Sequence, residues 1–115
     1  MYAISIRVAW EPLRTLAFGG ISGTYAGVGG TLDNPAHQIV VENETDVDVF
    51  GSFNGITDHL FIPSGQARIY DFTSNKGPGG GFYLAQGARL YIRDNGTPAS
   101  SGAVYLEVIY AAESA

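Results

Sequence analysis

The sequence predicts an all-β fold, a single β-sandwich or jelly-roll-like domain of about seven to nine short antiparallel strands. Short runs rich in β-branched and aromatic residues recur at spacings of roughly 8 to 12 residues, and clusters of turn-forming residues separate them. The 16 glycines in 115 residues fit the many tight turns of such a domain, and no segment has the periodicity of a three-turn helix. With 45% apolar residues, the chain is long enough for one domain with a core and too short for two.

Residues 37–72 predict a β-meander, in which each strand pairs with the next one along the chain. The predicted strands cover residues 39–41, 46–53, 58–62 and 67–72. Turn signals separate them at Asn43-Glu44-Thr45, Asn54-Gly55 and Pro63-Ser64-Gly65. Asn54-Gly55 is the strongest signal, because a two-residue primed turn needs a positive φ at both central residues. We therefore expect a tight hairpin there.

The flanking segments predict more strands and two irregular regions. Residues 2–8 alternate as a half-buried strand that ends before Pro12, and further short strands are predicted at residues 16–18, 23–26, 82–84 and 88–94. Residues 103–111 are apolar on both faces, which is typical of a strand in the centre of a sandwich or against another chain. We expect the strand pieces of the glycine-rich stretch to lie along the main sheet or along a neighbouring subunit. Residues 1–31 are predicted to reach beyond their own domain as an extended arm, and residues 73–81 to form a mobile glycine-rich loop.

Charge and composition exclude several classes of function. With a net charge of -5 and six basic residues, the chain is a poor partner for nucleic acid, whose binding depends on neutralising phosphates. No apolar stretch approaches the about 18 residues of a membrane span, and the N-terminus lacks the basic region of a secretion signal. The absence of cysteine excludes disulfides and thiolate metal sites, which fits a protein made in a cytoplasm.

The sequence contains no recognisable catalytic site. Ser52, Asp58 and His59 are the residue types of a catalytic triad, but Asp58 and His59 are adjacent on a predicted strand and point to opposite faces. The surrounding sequence lacks the G-x-S-x-G elbow, and the glycine clusters lack the pattern of a phosphate-binding loop. We expect a protein that is not an enzyme and that uses no cofactor or small-molecule substrate.

Four carboxylates lie within seven residues, at Glu42, Glu44, Asp46 and Asp48. Their spacing is not that of a calcium-binding D-x-D-x-D-G loop, so a solvated acidic rim is the simplest interpretation. Calcium binding is an alternative. In a third interpretation these acids pair with arginines of a neighbouring copy, because bidentate pairs fix the register between subunits. The arginines considered are Arg68, Arg89 and Arg93.

A set of motifs from about residue 39 onward covers roughly two thirds of the chain. It consists of an N-x-T-D turn at residues 43–46, S-F-N-G at residues 52–55, Asp58 and His59, a Pro63 to Gly65 turn, and a closing A-V-Y-x-x-x-I-Y strand at residues 103–110. This order of motifs resembles that of small virion structural proteins of tailed bacteriophages. The resemblance implies a non-enzymatic structural component of the particle, assembled in the host bacterial cytoplasm. Our first placement for it is capsid decoration or cement, and the second is the neck or head-to-tail interface.

The partners implied are copies of the chain itself and other virion proteins, such as the major capsid protein or the portal and neck proteins. We expect the subunit interfaces to use Tyr2, Ile4, Trp10, Phe18, Tyr25, Asp46, Asp48, Arg89, Arg93, Tyr105 and Ile109. The second interpretation is a small carbohydrate- or calcium-binding module, because β-sandwiches with exposed Tyr, Trp and Asp commonly serve that purpose.

Overall fold

A computed structural model describes residues 5–72 and 84–114 of the chain, and these residues form two packed antiparallel β-sheets. The strands are β1 (Ser5–Trp10), β2 (Arg14–Ala17), β3 (Ala26–Gly27), β4 (Ala36–Asn43), β5 (Val49–Ser52), β6 (Leu60–Ile62), β7 (Ala67–Asp71), β8 (Tyr91–Asp94) and β9 (Ala103–Ser114). The five-stranded sheet has the order β1-β9-β4-β7, with β2 also paired to β9, and the four-stranded sheet has the order β3-β8-β5-β6. The predicted β-sandwich is therefore confirmed.

Residues 36–71 form one long hairpin that bends across both sheets. Near its tip, β5 pairs with β6, with Val49 opposite Ile62; farther back, β4 pairs with β7, with Gln38 opposite Asp71. Consecutive strands β4 and β5 thus lie in different sheets, as do β6 and β7. The predicted meander is right only for the pairing of β5 with β6. It is wrong for the other two connections, because Asn43-Glu44-Thr45 and Pro63-Ser64-Gly65 form corners between the sheets and not turns within one.

The chain also crosses from one sheet to the other between β8 and β9, which lie beside this hairpin. β8 pairs with β5 in one sheet and β9 pairs with β4 in the other, while β3 and β2 continue the same pattern on the far side of β8 and β9. Ribbons that run through both sheets give the domain its jelly-roll-like wrapping. β9 lies between β4 on one side and β1 and β2 on the other. Residues 103–111 therefore form a central strand of the sandwich, as one of the two interpretations predicted.

The core lies between the two sheets and takes alternate residues from each strand. On β9, Val104, Leu106 and Val108 are buried, whereas Tyr105 and Ile109, at alternate positions, face outward and are half-buried. This alternation follows from the two-residue period of a β-strand. The fully buried side chains of the core include Ile39, Val41, Val49, Ile62, Leu90 and Ile92.

The glycine-rich stretch belongs to the sandwich, so the predicted arm is wrong for the described part of residues 1–31. β2 and β3 pair with β9 and β8 of the same chain, and the isolated apolar residues Ile21, Val28 and Leu32 are buried in the core. Arg14 also fastens the stretch, because its guanidinium donates hydrogen bonds to the backbone carbonyl groups of residues 30 and 31. The interface candidates Tyr2 and Ile4, the loop predicted at residues 73–81 and most of the strand predicted at residues 82–84 lie outside the described residues.

Asn54-Gly55 lies in a seven-residue loop, residues 53–59, between β5 and β6. Gly55 has a φ of 75°, but no non-glycine residue among those described has a positive φ, so the predicted two-residue primed turn is wrong. The Ser52 hydroxyl accepts hydrogen bonds from the backbone N–H groups of Asn54 and Gly55. The Oδ1 of Asn54 accepts hydrogen bonds from the backbone N–H groups of Ile56 and Thr57. These side-chain acceptors stabilise the longer loop.

A buried asparagine holds the corner between β4 and β5. Asn43 is fully buried, and its Nδ2 donates hydrogen bonds to the carbonyl oxygens of Val47 and Ile62, each at 2.9 Å. Its Oδ1 accepts from the backbone N–H of Thr45 at 3.0 Å and from the Thr45 hydroxyl at 2.6 Å. Gly102 closes against the same corner with a φ of 84°, and a Cβ there would overlap the carbonyl oxygen of Glu44.

Candidate functional site

The outer face of the five-stranded sheet is largely apolar. The register places Trp10 opposite Ile109 and Val40 opposite Ile69, with the side chains of both pairs on the side away from the core. Four large apolar side chains of this region are 58–69% exposed, namely Val8, Trp10, Leu13 and Ile69. We call this surface, formed by Val8, Trp10, Leu13, Val40, Ile69, Tyr105 and Ile109, the apolar outer face.

A cleft of about 450 Å³ opens in the apolar outer face. It is lined by Trp10, Glu11, Leu13, Glu42, Tyr105 and Glu107. The cleft exists because β1 ends at Trp10 and β2 begins only at Arg14, which leaves a gap along the edge of β9. The outward side chains of β9 form its floor, and Trp10 stands at its rim.

Two carboxyl groups meet in the cleft. Glu42 lies opposite Tyr105, and Glu107 lies opposite Val40, so the two glutamates are diagonal neighbours on adjacent strands. A hydrogen bond with the Glu107 carboxyl, together with desolvation, raises the pKa of Glu42. The salt bridges within the described part of the chain join Arg14 to Glu11 and Arg93 to Asp58, so neither cleft glutamate has a basic partner there.

The third carboxylate near the cleft, Glu11, has a structural role. Its side chain is only 2% exposed and forms an ion pair with Arg14 at 2.8 Å. It also accepts hydrogen bonds from the backbone N–H and the Nδ2 of Asn34, at 2.9 and 3.0 Å. Burial alone would raise the pKa of Glu11, but the hydrogen bonds from Asn34, Arg14 and the Asp33 N–H outweigh it and lower the pKa. Glu11 therefore stays ionised and ties the β1–β2 connection to residues 33–34.

The outer face of the four-stranded sheet carries a cluster centred on Arg93. The guanidinium packs over the rings of Phe50 and Tyr25, at 4.5 and 5.7 Å from their centroids, and donates to Asp58 at 2.7 and 3.1 Å. The Tyr25 hydroxyl also donates to Asp58. Desolvation and the hydrogen bond to Asp58 raise the pKa of Tyr25 to about 12, while Arg93 and Tyr25 lower the pKa of Asp58.

The arginines that were expected to pair with acids of a neighbouring copy have partners in their own chain. Arg89 donates from Nε to the Gly29 carbonyl oxygen at 2.8 Å and stacks on Tyr91, and Arg68 donates to the Gln66 side chain. With Arg93 bound to Asp58, all three are engaged within the domain. The structure therefore gives no support to the predicted intersubunit arginine–carboxylate pairs.

Asp46 and Asp48 lie at the corner between the sheets and fix loops. Asp46 accepts hydrogen bonds from the backbone N–H of Ser100, at 2.9 Å, and from its hydroxyl, and these bonds lower the pKa of Asp46. Asp48 accepts from the backbone N–H of Ser64 at 2.9 Å. Glu42, in contrast, points into the cleft. Within residues 5–72 and 84–114, no three His, Cys, Asp or Glu side chains are grouped so that they could hold a metal ion.

The three residues that resemble a catalytic triad are each bound to another group. Asp58 holds Arg93 and Tyr25, and the Nδ1 of His59 accepts a hydrogen bond from the backbone N–H of Phe53 at 3.0 Å. The Ser52 hydroxyl is buried in the loop that it stabilises and donates to the Asn54 side chain at 2.9 Å. Their arrangement is therefore that of structural residues.

The structure distributes the described interface candidates over several surfaces. It brings Trp10, Tyr105 and Ile109 together on the apolar outer face and places Tyr25, Arg89 and Arg93 on the other sheet. Phe18 lies in a short 3-10 helix and is 41% exposed, and Asp46 and Asp48 lie at the corner. Sequence reasoning missed the meeting of Glu42 with Glu107, because their proximity depends on the register between β4 and β9.

Comparison with known protein families and with curated proteins finds no match to this chain. In the part of the chain that the structure describes, no helix is long and apolar enough to cross a membrane.

Proposed function

We propose that this protein is a non-enzymatic structural component of a tailed-bacteriophage virion that binds copies of itself and other virion proteins through the apolar outer face. The observation that carries the proposal is the exposure of four large apolar side chains, 58–69% each, on and beside one sheet. Exposed apolar patches of this kind mark protein–protein contacts, and aromatic residues are enriched in such interfaces.

The resemblance of the motifs from residue 39 onward to small phage virion proteins supports the same assignment. Capsid decoration or cement is the first placement, and the neck or head-to-tail interface is the second. In either place the partners are the chain itself and neighbouring shell, portal or neck proteins, and the mature location is the virion.

The proposal is tested with the double variant Trp10→Ser/Ile69→Ser. Both side chains face away from the core, so the variant should fold and melt like the wild type while it no longer oligomerises or binds particles. Light scattering after size-exclusion chromatography measures the first property, and co-sedimentation with virions measures the second. Ile56→Ser is the matched control, because Ile56 is 84% exposed on the loop of the other sheet.

Mass spectrometry of purified virions gives a direct readout that needs no variant. The proposal is contradicted if the chain is missing from the virions, or if the double variant binds them as well as the wild type.

One observation favours a second candidate, a carbohydrate-binding module. Trp10 and Tyr105 share a cleft with carboxyl groups, and aromatic faces beside polar acceptors suit the apolar and hydroxyl sides of a sugar. A glycan array separates the two candidates, because a saturable glycan ligand that requires Trp10 would favour the module.

A further inference from the structure

The Glu42–Glu107 pair lies in a cleft whose walls suit one class of ligand. When both carboxyl groups are ionised, these diagonal neighbours repel each other, so the pair favours any group that neutralises it. Trp10 at the rim and Tyr105 on the floor add aromatic faces, which attract cations by their ring quadrupoles. Leu13 supplies an apolar wall for an aliphatic stem. The cleft therefore combines two anionic acceptors with surfaces that fit a flat or compact cation.

A guanidinium fits this combination better than an ammonium does. Its planar fork of N–H donors can address two carboxylate groups at once, and its face stacks on aromatic rings. It is also less strongly hydrated than an ammonium and loses less on entering a partly apolar cleft.

The chain itself is a poor source of this cation. Four of its six basic residues have hydrogen-bond partners in their own chain, namely Arg14, Arg68, Arg89 and Arg93. With a net charge of -5, a second copy is also a less favourable source of a cation than a basic partner protein would be. Charge complementarity thus favours a different protein with an exposed arginine.

We propose that the cleft between Trp10, Leu13 and Tyr105 binds an arginine side chain of a partner protein, whose guanidinium is held by Glu42 and Glu107. This inference rests on the proposed function, since it names the chemistry by which the apolar outer face recognises another virion protein. The arginine would sit within the apolar contact and give it direction, because only one placement of the partner brings the guanidinium onto the two carboxylates.

The test uses Trp10 as its own reporter, because it is the only tryptophan in the chain. Its fluorescence is followed while N-acetyl-argininamide is added at constant ionic strength, and N-acetyl-citrullinamide serves as the uncharged probe of the same shape. We expect a saturable fluorescence change with the arginine probe. The affinity for the citrulline probe should be lower by a factor of about ten or more. The Glu42→Gln/Glu107→Gln variant should lose affinity for the arginine probe by about the same factor.

Glu44→Gln is the control for each single replacement, Glu42→Gln or Glu107→Gln, because this exposed glutamate lies outside the cleft and its replacement also removes one charge. NMR chemical shifts of the wild type, recorded as the arginine probe is added, provide a readout that does not depend on any variant. The backbone amide signals around Glu42 and Glu107 and the indole N–H signal of Trp10 should change.

The inference is overturned if the arginine probe gives no saturable response, if the citrulline probe binds equally well, or if the double glutamine variant keeps its affinity. Stronger binding of a neutral sugar in the same cleft would also overturn it. These outcomes are separable from the fate of the proposed function. If the chain is present in virions but does not bind the arginine probe, only the assignment of the cleft is contradicted. If it binds the arginine probe but is missing from virions, only the virion role is contradicted.

Discussion

Replacing Asn43 with aspartate should destabilise the domain severely, although the two side chains have almost the same shape. In the wild type, Asn43 donates to the carbonyl oxygens of Val47 and Ile62 and is fully buried. A carboxylate cannot donate, so both oxygens lose the Asn43 Nδ2 as a partner, and the one hydroxyl proton of Thr45 that could reach the Val47 oxygen is shared with the side-chain oxygen of residue 43. An unsatisfied buried acceptor costs about 1–3 kcal/mol. Burial of an unpaired charge among carbonyl oxygens adds to this, for a total of about 4 kcal/mol.

For a domain of this size, a loss of about 4 kcal/mol lowers the melting temperature by about 15 °C. The new carboxyl is buried beside oxygen atoms, so its folded pKa is raised and the deficit should grow as the pH rises and shrink as the pH falls toward about 4. Thermal unfolding of Asn43→Asp followed by circular dichroism at several pH values measures both effects. Asn95→Asp on an exposed loop is the control and should change little. A melting temperature within about 3 °C of the wild type at neutral pH would refute the role assigned to Asn43.

Three further changes test other parts of the fold by thermal unfolding. Gly102→Ala should cost about 2–4 kcal/mol, because it forces a positive φ on alanine and overlaps the Glu44 carbonyl oxygen. Val28→Ala should cost about 2–3 kcal/mol, because it leaves a cavity in a fully buried site of the glycine-rich stretch. Asp58→Asn should lower the melting temperature at neutral pH, because Arg93 and the Tyr25 hydroxyl hold the folded pKa of Asp58 below its ordinary value. Since that stabilisation is present above the ordinary pKa of an aspartate, about 4, and is lost as the pH falls through the lower folded pKa, the difference should vanish in acid.

The glycine and valine changes each have an exposed or open counterpart. Gly30→Ala meets no atom within 4 Å, and Val8→Ala alters a side chain that is 61% exposed, so both should leave the melting temperature nearly unchanged. Equal melting curves for Val28→Ala and Val8→Ala would argue against a core role for the glycine-rich stretch. A Gly102→Ala variant as stable as Gly30→Ala would argue against a close approach at the corner. An Asp58→Asn deficit that persists unchanged in strong acid would exclude the ion pair with Arg93 as its cause.

The positions of most strands could be predicted from the sequence, but their pairing could not. β-branched and aromatic runs indicate where a strand lies, whereas Asn43-Glu44-Thr45 has the same composition whether the chain reverses within a sheet or crosses to the other. The burial of Ile21 and Val28 was missed for a related reason. A single apolar residue between glycines carries no periodicity, and only the pairing of β2 and β3 brings these side chains into the core.

The sequence predicts which residues of the candidate site share a face only when those residues lie on the same strand. Alternation along β9 places Tyr105 and Ile109 on the same outer face, and the pairing of β1 with β9 brings Trp10 opposite Ile109. The meeting of Glu42 with Glu107 joins strands that are far apart in sequence, and a shift of one residue in their register would turn one glutamate to the other face. No local pattern in either strand contains that information.

The central position of β9 sets the order in which the domain can be completed during synthesis. β1, β2 and β4 all leave the ribosome before the strand with which they pair, and Ser5 must wait for Ser114. At about 5–20 residues per second, β1 remains without its partner for on the order of ten seconds. Until β9 is made, each of these three strands keeps the backbone edge that faces β9 unpaired, and such an edge is a template for aggregation. The position between β4 and the β1 and β2 strands stays vacant until β9 is made. A separate peptide with the β9 sequence would therefore compete with the chain's own β9 for that position.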